Sequence, residues 1–128
     1  MNALRLTIFV AAIGGIQGTP ASWVPDSAAI RTLESRIKPG NIPKWGNGHQ
    51  PLVAEYVRYY TGYLAGSHRM IRGEFVPPYG SKMRPPGVYV VSNVRDFPLI
   101  FDGGCGIVNL IYDVDEARIT SLQCNGNA

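Results

Sequence analysis

A chain of 128 residues with a formal charge of +3 holds one domain and one core and leaves no room for a second. So small a cationic excess selects neither for nor against a polyanionic partner. Fifteen glycines and ten prolines crowd between the apolar runs, which argues against a helical bundle and for short elements joined by tight turns.

The chain opens on a weakly basic start carrying Arg5, followed by an apolar run over residues 6–16. That run is too short to span a bilayer, which takes about 20 apolar residues. Small residues and the helix breaker Pro20 follow. This is the layout of a cleavable signal peptide over residues 1–21, with Thr19 at −3 and cleavage after Ala21. Residues 22–128 are then a single mature domain, periplasmic or secreted. No later apolar run is long enough to cross a membrane.

Asp26-Ser27 caps an expected helix over residues 28–38. Ile30, Leu33 and Ile37 form one helical stripe, and Glu34 with Lys38 makes an i,i+4 pair. Pro39-Gly40 ends the helix, and a Pro/Gly loop carrying Trp45 and His49 runs to Pro51.

Residues 52–64 satisfy two patterns. Leu52, Tyr56, Tyr60 and Tyr63 share a helical face, yet residues 56–61 have the aromatic and β-branched content of a strand. The expectation is a short helical start that becomes a strand near Tyr59. A turn at residues 65–68 leads into a partner strand over 69–76, which Pro77-Pro78 stops. Residues 88–92, 107–112 and 118–124 read as three further strands. The expected fold is α+β: a small antiparallel sheet of four or five strands with one or two short helices, closed by a C-terminal hairpin.

Cys105 and Cys124 are the only cysteines, and an oxidising compartment pairs such thiols. Strand alternation makes the pairing a question of parity. A four-residue loop over residues 114–117 sets Asp113 opposite Arg118, and that register puts both cysteines on one face. The glycines around Cys105 then serve a bulge where the hairpin begins. A zinc site from both cysteines with His49 and His68 lacks the close ligand spacing of structural sites. Asp113, Asp115 and Glu116 lack the glycine and terminal glutamate of a calcium loop. No metal and no cofactor are expected, and no catalytic residue is assigned.

A ligand surface is sought among the aromatics and arginines: Trp45, Arg58, Tyr59 and Tyr63. Two functions follow. The first is a non-enzymatic binding or interaction module of the cell envelope, whose partner is an envelope protein or a glycan; export argues against nucleic acid. The alternative is a small envelope hydrolase using Asp96 or Asp102, or Cys105 as a free thiol.

Overall fold

The computed structural model describes residues 23–78, 84–98 and 104–125. The expected signal peptide over residues 1–21 and the carboxylate Asp102 lie outside the described residues. One α-helix, α1 (Ser27–Ser35), precedes five strands: β1 (Val57–Ala65), β2 (His68–Val76), β3 (Gly87–Val90), β4 (Gly104–Asp113) and β5 (Arg118–Asn125). Single 3-10 turns occupy Pro39–Asn41, Val53–Glu55 and Val94–Asp96. Among the described residues no helix is long and apolar enough to cross a membrane.

The helix begins where the capping logic puts it. The Asp26 carboxylate accepts from the Ala29 N–H at 2.8 Å, satisfying one orphan donor of the first turn. Ile30, Leu33 and Ile37 are all buried, although the helix stops at Ser35. Glu34 does not pair with Lys38. It turns inward to Arg58, Nε to Oε2 at 2.8 Å, because a core-facing guanidinium needs a counter-charge more than an exposed lysine does.

The strands form one sheet in the order β3-β1-β2-β4-β5. It is mixed, which corrects the antiparallel expectation: β1 pairs antiparallel with β2, β2 with β4, and β4 with β5, but β3 lies parallel to β1. The reason is positional. A two-residue turn at Gly66-Ser67 folds β2 back on β1, so β2 ends beside the start of β1, with Val57 opposite Val76. From that end β3 runs back in the opposite direction to β2. The free side of β2 is taken by β4, so β3 docks one place over, on β1, with Gly87 beside Val57.

Residues 52–64 resolve as a short helical start followed by a strand. Only Val53–Glu55 is helical, as one 3-10 turn, and β1 starts at Val57 rather than near Tyr59. Strand alternation therefore separates the tyrosines. Tyr56 and Tyr60 pack under α1 with Ile71, Phe75, Val108, Leu110 and Tyr112. Tyr59 joins a second, smaller cluster with Val57, Val76 and Ile107, flanked by Tyr89, Val91 and Phe97. The sheet thus carries its main core on one face and a minor one on the other.

Gly73 sits opposite Tyr60 on the helix side. A Cβ there would lie 2.9 Å from Tyr60 Cε1, so the missing side chain lets the tyrosine ring lie flat across β2. The ring ends in a hydrogen bond from Tyr60 OH to Glu34 Oε2 at 2.7 Å, beside the Arg58 contact.

The β4–β5 turn has the expected four residues: Asp113 faces Arg118. The ladder then shifts twice, between Ile111 and Tyr112 and between Gly104 and Val108. In the second shift four steps of β4 span one step of β5, from Gly104↔Asn125 to Val108↔Cys124. This bulge, with Gly104 at φ +51, swings Cys105 alongside Cys124. The two form a disulfide with their Cα atoms 4.4 Å apart.

Candidate functional site

Trp45, Arg58, Tyr59 and Tyr63 divide between the two faces of the sheet. Trp45 donates from its indole N–H to Tyr56 OH at 3.0 Å and meets that ring edge-on at 5.7 Å. Arg58 is 8 % exposed. Besides Glu34 it donates to the carbonyls of Val53 and Tyr56, each at 3.1 Å. Both side chains tie the Pro/Gly loop and α1 to the sheet. Tyr63 is half-buried, and its carbonyl accepts from the Trp23 indole at 3.0 Å. Tyr59, 7 % exposed, alone of the four belongs to the aromatic cluster of the minor core.

That cluster lies on the face away from α1. Tyr59 and Tyr89 are cross-strand neighbours, with ring centroids 5.7 Å apart and planes inclined by 31°. Phe97 closes one side at 6.3 Å. The Arg84 guanidinium lies over both tyrosines, 4.8 Å from the Tyr89 centroid and 5.8 Å from that of Tyr59, within the range of cation–π attraction. Tyr89 OH donates to the Pro85 carbonyl at 2.8 Å, which holds the loop bearing Arg84 against the ring. Among the described residues Arg84 has no carboxylate partner.

The same row continues across the sheet through Glu74 and Asn109 to Gln123. Glu74 is 7 % exposed, and its Oε1 is buried with no hydrogen-bond partner. Burial pushes its pKa up from 4.5 to about 7; the Arg72 charge, two residues away on the same strand, opposes this more weakly. A buried carboxyl without a partner favours the neutral form, because ionisation would strand a charge away from water. Asn109 beside it is half-buried and donates to Asn125 Oδ1 at 3.2 Å.

Sequence reasoning passed over Glu74, Tyr89 and Arg84. In Arg72-Gly73-Glu74-Phe75-Val76 an alternating carboxylate reads as solvent-facing. Its burial depends on β2 being central and on the minor core covering that face, neither of which is local information.

The remaining candidates are engaged. Cys105 is held in the disulfide, so neither a thiol nucleophile nor a zinc thiolate is available. Asp96 is exposed and accepts from Ser92 Oγ at 3.5 Å. His49 Nε2 meets Glu55 at 2.8 Å. His68, Asp113 and Asp115 bring one ligand atom each within 4.8 Å of one another. Those atoms are already paired: His68 Nδ1 with Asp113 at 2.7 Å, and Asp115 with the Arg69 guanidinium at 2.8 Å and its backbone N–H at 2.7 Å. The hydrogen bond to Asp113 raises the His68 pKa. Backbone N–H donors, from Glu116 and Arg69 respectively, lead in lowering those of Asp113 and Asp115. These are the features of a structural clasp between the β1–β2 and β4–β5 turns.

No protein family, no curated protein and no solved structure matches this chain.

Proposed function

We propose that this chain is a small exported binding module of the cell envelope, acting without catalysis, and that its ligand sits against Tyr59, Tyr89 and Arg84. The leader-like residues 1–21 and the cysteine pair support export, since disulfides persist outside the reducing cytosol. The observation that carries the ligand site is Arg84, stacked across two tyrosine rings with no carboxylate among the described residues to engage its N–H groups. Tyrosine faces suit the apolar face of a sugar ring, and an uncommitted guanidinium suits its hydroxyls or acidic substituents. An envelope glycan is therefore the proposed ligand.

The test is an amide NMR titration of the mature chain with soluble envelope oligosaccharides. Shifts confined to Tyr59, Tyr89, Arg84 and their neighbours, abolished in Arg84→Ala, are the expected result. Saturating oligosaccharide that leaves those amides unmoved defeats the reading.

A second reading, a small envelope hydrolase, draws on one observation: the raised pKa of Glu74, which keeps the carboxyl protonated as a general acid needs near neutral pH. Glu74 then takes the role first sought in Asp96 and Asp102. Turnover of an envelope oligosaccharide that Glu74→Gln abolishes while the amide spectrum stays native would favour it over the binding module.

A further inference from the structure

A second surface stands apart from the Tyr59 cluster. A groove of about 640 Å³ runs between the C-terminal end of α1 and β5. One wall is Arg36, Lys38 and Asn41; the other is residues 117–122 taken consecutively. The register shift opposite Ile111 and Tyr112 leaves Thr120 as an extra residue in β5, and such a bulge lets consecutive residues meet one groove. β5 is the terminal strand of the sheet, so one row of its backbone donors and acceptors has no partner strand among the described residues. Unpaired edge groups are a template for one more strand.

The charges select what that strand carries. Arg36, Lys38 and Arg118 line the groove, and no carboxylate does. Only Arg118 has an ion-pair partner there, Glu116 at 2.9 Å; Arg36 and Lys38 have none among the described residues. Ile119 and Leu122 are half-buried and pack against the main core, and Thr120, Ser121 and Asn41 lie between the cations. A second copy of the chain is a poor occupant through its adjoining acidic turn. Asp113, Asp115 and Glu116 are each engaged, by His68, Arg69 and Arg118.

We infer that the β5 edge docks an acidic, extended peptide segment of a partner protein, added as a sixth strand, with its carboxylates turned to Arg36 and Lys38. Main-chain pairing supplies the affinity and the alternate acidic side chains the selectivity. Six residues of strand span about 20 Å, so a segment of six to eight residues fills the groove. The inference rests on residues that the proposed glycan site does not use, and either can fail without the other.

The probe is a synthetic octapeptide alternating Glu and Val, titrated into the oxidised mature chain and followed by fluorescence anisotropy and amide NMR. The expected result is saturable binding that shifts amides of β5 and residues 36–41. Arg36→Gln with Lys38→Gln should weaken it at least tenfold while the amide spectrum elsewhere stays native. Both residues are exposed, so the double variant should fold. The same peptide N-methylated on alternate residues, on the side that pairs, keeps its charge but lacks strand donors. N-methylating each alternate set in turn covers both faces, and one of the two peptides must lose binding. Undiminished binding by both would mean simple charge attraction and overturn strand addition. Equal binding by an alternating Gln-Val peptide, or shifts lying outside the groove, would overturn the assignment. So would peptide-independent self-association through β5, or anionic vesicles that bind the chain and displace the peptide.

Discussion

Glu74 makes folding depend on pH in a direction opposite to that of most carboxylates. In the folded chain it holds its proton up to about pH 7, against an ordinary value of 4.5. Between those values the folded protein binds a proton that the unfolded chain has released. Its stabilising contribution is complete below pH 4.5 and is lost as pH rises through 7. Each pH unit of that window is worth about 1.4 kcal/mol, so the full span is worth about 3 kcal/mol. Glu74→Gln keeps the shape and the missing hydrogen bond but cannot ionise. The variant should match the parent at pH 4.5 to 5 and exceed it by roughly 2 to 3 kcal/mol at pH 8.5. In a domain of this size that is a rise in Tm of about 10 °C or more. Urea denaturation at half-unit pH steps, with parent and variant side by side, reads the difference directly. His68, whose pKa is raised by Asp113, also loses stabilisation as pH rises, but it does so in both proteins and cancels. Stability curves for parent and variant that stay parallel from pH 5 to 8.5 would refute the reasoning, since they would mean Glu74 is already solvated in the fold.

The Cys105–Cys124 bond closes a loop with a sequence separation of 19. Cys105→Ser with Cys124→Ser should cost about 3 kcal/mol of unfolding free energy in urea, and dithiothreitol should lower the parent to the same stability. Gly73→Ala forces a methyl against the Tyr60 ring, with Cβ 2.9 Å from Cε1; a loss of about 2 kcal/mol is expected, visible as a lower Tm. Glu34→Gln removes the charge that both Arg58 and Tyr60 engage and should cost about 3 kcal/mol. Glu34→Leu combined with Arg58→Met should recover much of that loss in a double-mutant cycle.

How far the chain could be read from its residues depended on the range of the interaction. The α1 stripe was legible, because the Asp26 cap and the Ile30, Leu33 and Ile37 spacing act within a few residues. So was the four-residue turn between Asp113 and Arg118: a short loop leaves few registers, and Val114 suits few turns. The cysteine pairing followed from composition but not from parity: the expected register holds only at Asp113 and Tyr112, the shift beyond them reverses the parity, and the bulge at Gly104 brings the sulfurs together. Residues 52–64 were ambiguous because tyrosines at those spacings fit a helix face and a strand equally.

Local chemistry in the amino-acid sequence therefore determined the helix, the turns, the candidate disulfide partners and the supply of aromatic and cationic side chains. Tertiary structure alone decided where each of them faces. Placing β3 beside β1 rather than β2 paired Tyr89 with Tyr59, and pairing across 24 residues of chain turned Arg58 from a candidate ligand group into the partner of Glu34. Seating β2 in the middle of the sheet buried Glu74. Each of these depends on which strands become neighbours. That choice balances burial over the whole sheet against loop closure, and no window of a few residues contains it.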